Sequence, residues 1–105
     1  MSLRIVIRPD ASTDVDDCFL FIRQDSPDAA ARFLTAADNT FVQLAEMPGI
    51  GRLCKVRNPD LDGLRRWPVR GFENILVFYL EREGTIHILR VLHGARDIEA
   101  ILQDA

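Results

Sequence analysis

Two helix-forming stretches meet at Ser26-Pro27-Asp28, and no other feature of this 105-residue chain narrows its fold as much. A serine there caps a helix, a proline fits the first helical position because its missing N–H has no partner to lose, and an acid in the first turn suits the positive end of the dipole. Downstream, Ala30, Phe33, Leu34, Ala37, Phe41 and Leu44 recur at helical spacing until Pro48-Gly49-Ile50-Gly51 stops the pattern. The spacing predicts a helix to about Glu46. Upstream, Val15, Cys18, Phe19 and Ile22 share one face of a helix of about four turns, with Ser12 or Thr13 as its cap and Asp14, Asp16 and Asp17 in its first turn. Two helices joined by so few residues pack as an antiparallel hairpin.

Strand signals flank the hairpin. Leu3, Ile5 and Ile7 alternate with Ser2, Arg4, Val6 and Arg8, which predicts a short half-buried strand ended by Pro9-Asp10. After the turns at Asn58-Pro59-Asp60 and Asp62-Gly63, a strand over Leu64 to Val69 carries Pro68, which places it at a sheet edge or ends it there. The unbroken run Ile75 to Leu80 fits a central strand covered on both faces, and Glu81-Arg82-Glu83-Gly84 turns it back into Thr85 to His93. Asp97 then caps a short helix burying Ile98, Ile101 and Leu102. The order β-α-α-β-β-β-α predicts an α+β fold, with an N-terminal strand and a two-helix hairpin packed on one face of a mostly antiparallel sheet. The other face is expected to remain available for function. Residues 1–105 are expected to form a single domain, since a chain of this length builds one core.

Charge is unevenly distributed. Residues 1–51 carry four basic and eight acidic side chains, residues 52–105 nine and eight, for a net charge of −3. Within 52–70, Arg52, Lys55, Arg57, Arg65, Arg66 and Arg70 face only Asp60 and Asp62. A basic segment inside an acidic protein suits one specific partner better than general polyanion affinity. The N-terminus has no apolar run of signal-peptide length and no stretch approaches a membrane span, so the reading is cytoplasmic, with no membrane partner. Cys18 and Cys54 lack the spacing of a metal site, Gly49-x-Gly51 lacks the lysine of a phosphate loop, and no serine has a nucleophile context. No metal, cofactor or small-molecule substrate is expected.

The candidate constellation is Arg65, Arg66, Trp67 and Arg70 on the edge strand, Tyr79 on the central strand, and Arg90, His93 and Arg96 at the end of the hairpin. These positions are expected to converge, given the right strand order. Guanidinium groups bind carboxylates and phosphates in bidentate fashion, and an aromatic among them can stack. The competing reading is that the arginines are solvent-facing sheet residues paired with Glu73, Glu81 or Glu83, and that Trp67 and Tyr79 belong to the core. His93 is a candidate general base; His87, between Ile86 and Ile88, reads as a sheet residue.

The segments Leu64-Arg-Arg-Trp-Pro-Val-Arg-Gly-Phe-Glu-Asn74, Ile75-Leu-Val-Phe-Tyr79 and Arg90-Val-Leu-His-Gly-Ala-Arg-Asp97 together resemble the C-terminal half of ParE-type toxins of the ParE/RelE superfamily, and the helical hairpin with its Pro-Gly-x-Gly exit agrees. The resemblance implies the toxin of a type II toxin–antitoxin module, as in plasmid stabilisation systems, neutralised by an antitoxin that wraps it. It also implies one of two actions: inhibition of DNA gyrase by binding, without catalysis, or ribosome-dependent cleavage of messenger RNA, for which Arg96, His93 and Arg90 would be the catalytic candidates. A third possibility is a non-toxic orphan. Where the ribonuclease branch places a C-terminal tyrosine this chain has Ile101 and Leu102, and where it places an arginine before the central strand this chain has Glu73-Asn74. The gyrase-directed branch is the better match. The resemblance further implies that an acidic, apolar antitoxin segment pairs with Arg65, Arg66 and Arg70, and that Arg96 to Ala105 determines toxicity.

Overall fold

The hairpin forms where the restart signal lies. In the computed structural model, which describes residues 2–94 and 101–102, helix α1 (Pro9–Asp25) and helix α2 (Pro27–Glu46) share Ser26 as a joint. The Ser26 backbone N–H closes α1 on the Ile22 carbonyl at 3.0 Å, and its Oγ accepts from the Ala29 N–H at 3.1 Å to open α2. Ser26→Ala removes that acceptor and is expected to cost about 1 kcal/mol, read as a lower thermal midpoint. Helix α1 starts earlier than the expected cap at Ser12 or Thr13. Pro9 fills its first turn, and the Ser12 N–H already bonds within the helix to the Arg8 carbonyl at 3.0 Å.

Among the described residues five strands form one sheet: β1 (Arg4–Ile7), β2 (Arg52–Leu53), β3 (Arg65–Val69), β4 (Phe72–Arg82) and β5 (Thr85–His93). Their order is β1-β5-β4-β3-β2, with β1 parallel to β5 and every other pair antiparallel. The α+β architecture is the one expected. Strand β1 is less buried than its alternation suggests, with Ile5 37% and Ile7 44% exposed. It lies at the sheet edge, and neither helix packs on it as α1 packs on β5. Strand β3 is second from the other edge, but β2 pairs only with Arg65 and Arg66. Beyond them β3 has no outer neighbour among the described residues, and by ladder alternation Pro68 occupies an outward-facing position where its missing N–H leaves nothing unsatisfied.

Strand β4 alternates between two cores, as its unbroken apolar run requires. Ile75, Val77 and Tyr79 join Phe33, Ala37, Phe41 and Leu44 under the helices. Leu76, Phe78 and Leu80 face the other way and meet Leu61, Leu64 and Leu102. The sheet face expected to stay open is therefore partly covered, because the turn-rich stretch folds back with a 3-10 turn (Pro59–Leu61) and seats Leu61 on it. On α2 the buried stripe agrees with the periodicity except at Leu34, 38% exposed, while Thr40 is buried with its hydroxyl donating to the Ala36 carbonyl at 2.7 Å. The expected C-terminal helix is described only at Ile101 and Leu102, which are helical, with Leu102 fully buried; Asp97 and Ile98 lie outside the described residues.

Candidate functional site

Period-two alternation sends the consecutive residues of β3 to opposite faces. Arg65 points toward the helix side, where its Nη1 donates to the carbonyls of Gly51 at 2.7 Å and Gly49 at 3.3 Å. It braces the exit of the hairpin. Trp67 joins the helix-side core, and its Nε1 donates to Gln43 Oε1 on α2 at 3.3 Å. Arg66, exposed on the other face, stands directly across from Arg52 of β2. Arg70 is exposed in the β3–β4 turn, beside a cavity bordered by Asn39, Thr40 and Gln43 of α2.

Tyr79 is 1% exposed, so its side chain offers a partner no surface. Its hydroxyl is fully used: it donates to the Pro48 carbonyl at 2.8 Å and accepts from the Gly51 N–H at 2.9 Å. Burial pushes the phenol pKa up, opposed by the Gly51 hydrogen bond and the nearby Arg65 charge. Gly51 fits this contact because it has no Cβ; one placed there would lie 2.5 Å from Tyr79 Oη and 2.9 Å from the Arg66 carbonyl oxygen.

Arg90 is likewise committed inside the fold. Its Nε and Nη2 donate to Asp14 Oδ2 and Oδ1 at 2.7 and 2.9 Å, and Asp14 Oδ2 also accepts from the Val91 N–H at 2.9 Å. The hydrogen bonds to Asp14, more than any other influence, hold the Arg90 pKa above its ordinary value. A register shift at Phe78/Tyr79, where the pairing skips Leu89, makes this possible. After the bulge, both Arg90 and Val91 face α1, as their contacts with Asp14 and with the helix-side core establish. His93 ends β5 with its ring 6.0 Å from that of Phe21, tilted by 56°. Phe21 is 62% exposed and overhangs a cavity of about 310 Å³ bordered by Asp17, Cys18, Ile75 and His93.

The expected convergence therefore does not occur among the seven described candidates. Arg65 and Tyr79 meet at the loop leaving α2, Trp67 and Arg70 lie toward α2, Arg66 is on the opposite face, and Arg90 and His93 lie beneath α1. Arg96 lies outside the described residues. Residues that sequence reasoning passed over are Asp14, assigned only a dipole role, and Arg52, counted in the basic segment without its partner. Asp14 had a signal: Ala11, Asp14, Cys18 and Ile22 share the inward face of α1 at spacings of three and four. Arg52 had none, because pairing through a two-residue strand leaves no pattern. Among the described residues no cluster of His, Cys, Asp and Glu could hold a metal ion, and no helix is long and apolar enough to cross a membrane.

Comparison with known proteins agrees with this architecture. A family model described as "ParE toxin of type II toxin-antitoxin system, parDE" matches residues 5–98. No curated protein matches the chain. Among solved structures, one described as the chromosomal ParDE TA system from P. aeruginosa is similar in fold, with a TM-score of 0.68 at 15% identity over 90% of this chain and 98% of that one. With nearly the whole chain matched by the family model and the helical hairpin seated on its mostly antiparallel sheet, this protein belongs to the ParE toxin family of type II toxin–antitoxin systems.

Proposed function

We propose that this ParE-family chain acts in the cytoplasm by binding and inhibiting DNA gyrase, without chemistry of its own, and that a small antitoxin encoded beside it neutralises it. The observation that carries the reading is the commitment of Arg90. Ribonucleolytic cleavage calls for cationic groups free to neutralise charge developing on a phosphorane, and this guanidinium is tied in two places to a buried carboxylate. Among the described residues His93 meets a phenyl ring rather than a carboxylate that would orient it as a general base. A net charge of −3 also disfavours encounter with an anionic ribosome.

The antitoxin partner is supported by family membership and by the fold-level likeness to the ParDE system. Leu20, Phe21, Leu34 and Val42 of the hairpin are exposed, apolar side chains that a folding-on-binding segment would cover. Arg66 and Arg70 remain exposed for its acidic side chains. The test runs the purified chain, released from its antitoxin, in a gyrase supercoiling and cleavage assay beside a ribosome-dependent messenger-RNA cleavage assay. The expected result is gyrase-linked DNA cleavage with intact RNA. RNA cut on the ribosome would replace this reading with the nuclease one, and silence in both would leave an antitoxin-binding protein that poisons neither.

A further inference from the structure

Arg52 and Arg66 stand opposite one another across the β2–β3 pair, on the sheet face that also carries Cys54, Leu76 and Phe78. Like charges directly opposed across a ladder destabilise it. Among the described residues neither guanidinium meets a carboxylate, the ion pair there being Arg90–Asp14. The two arginines border a groove of about 520 Å³, with Pro68 and Leu76 supplying apolar surface and Glu73 and Asn74 also lining it. The groove thus combines a doubled cation, apolar surface and a polar wall that includes one acid.

We infer that Arg52 and Arg66 together grip one carboxylate of the partner antitoxin, in an extended segment whose residues read acid, any residue, apolar, so that the apolar side chain two positions on lies against Pro68 and Leu76. This rests on the reading that an antitoxin binds the chain. Two guanidinium groups aimed at one carboxylate relieve the repulsion between them and bind it in bidentate fashion. Side-chain period two along an extended peptide carries the next same-facing residue about 7 Å onward. A nucleic acid fits less well: Glu73 would oppose the next phosphate, and the chain as a whole is acidic. The segment docks through its side chains rather than as an added strand, because Pro68 lacks the N–H that β3 would offer it.

The test uses the full chain with the protein encoded beside it. Arg52→Gln and Arg66→Gln are each expected to weaken that complex about tenfold by calorimetry, with a shallower salt dependence, while Arg4→Gln on β1, at the opposite edge of the sheet, leaves it unchanged. Arg66→Lys is expected to restore little, since an ammonium cannot reproduce the bidentate contact. Unchanged affinity in the Arg52→Gln, Arg66→Gln double variant would overturn the inference. So would tighter binding of a single-stranded RNA oligonucleotide through the same two arginines. If the wild-type chain forms no complex at all, the antitoxin reading fails. The grip is then judged by titrating a synthetic peptide of Glu-Ala-Leu-Ala repeats: shifts of the Arg52 and Arg66 Nε–H signals in nuclear magnetic resonance spectra support it, and silent signals overturn it.

Discussion

Asp14→Ala is expected to be among the most damaging single substitutions in this fold, costing about 3 kcal/mol. Asp14 is 7% exposed, and its carboxylate accepts three hydrogen bonds, two from Arg90 and one from the Val91 N–H. Removing it strands a partly buried cation and orphans a backbone donor together, and each loss draws on the desolvation penalty rather than on the small net value of a hydrogen bond. The contact also joins the first helix to the last strand, elements distant in sequence, so no local structure compensates. A domain of this size has roughly 5–15 kcal/mol of total stability, and the loss should lower the thermal midpoint by more than 10 °C, at about 4–8 °C per kcal/mol. Arg90→Met alone should be comparably harmful because it leaves the carboxylate buried without its cation. The double variant Asp14→Leu, Arg90→Met replaces both charges with apolar volume and should recover much of the loss. Thermal unfolding followed by Trp67 fluorescence measures all three. If the double variant were as unstable as the two single costs added together, the pair would not be acting as a coupled unit.

Asp14 also shows where sequence reasoning reached and where it stopped. The hairpin was legible because its signals are local: Ser26, Pro27 and Asp28 act within a single helical turn, and the structure uses Ser26 as expected. The run from Ile75 to Leu80 was legible as a strand covered on both faces because six apolar residues in a row leave no face for water. A local rule, that acids favour the start of a helix, accounts for Asp14 only if the helix starts at Ser12 or Thr13; with α1 starting at Pro9 the first-turn acid is Asp10, and Asp14 instead meets a partner in β5 that only the sheet order brings near. The parallel pairing of β1 with β5 is likewise non-local and leaves no mark in either segment.

The expected convergence of the candidate residues breaks down for another reason. Arg65, Arg66 and Trp67 were grouped by adjacency, yet neighbours in a strand point to opposite faces, so one became a brace, one an exposed cation and one part of the core. Arg90 was grouped with His93 at the strand end, and the bulge that turns it beneath α1 depends on the register with β4, which composition does not encode. What survives of the original constellation as accessible basic surface among the described residues is Arg66 and Arg70. The partner that makes Arg66 interesting, Arg52, entered only through the fold.

Gly51→Ala is expected to cost about 2 kcal/mol or more, by overpacking a contact that cannot yield. The added Cβ would lie 2.5 Å from Tyr79 Oη, 2.8 Å from Tyr79 Cε1 and 2.9 Å from the Arg66 carbonyl oxygen. Tyr79 is held by its own bonds to Pro48 and Gly51, and the Arg66 carbonyl belongs to the β3 backbone, so neither neighbour is a flexible side-chain end. Tyr79→Phe is a gentler probe of the same contact. It removes the hydroxyl, leaves the Gly51 N–H and the Pro48 carbonyl without that partner, and should cost about 1–3 kcal/mol. The two substitutions should not add. Once the hydroxyl is gone the closest clash in Gly51→Ala goes with it, so the double variant should be more stable than the sum of the single costs predicts. Some penalty should remain, because the ring carbon and the Arg66 carbonyl still crowd the Cβ. Chemical denaturation of the two single variants, the double variant and the wild type completes the cycle. Strict additivity would mean that Gly51 is required by the backbone path alone and that the tyrosine hydroxyl bonds to the loop without shaping it.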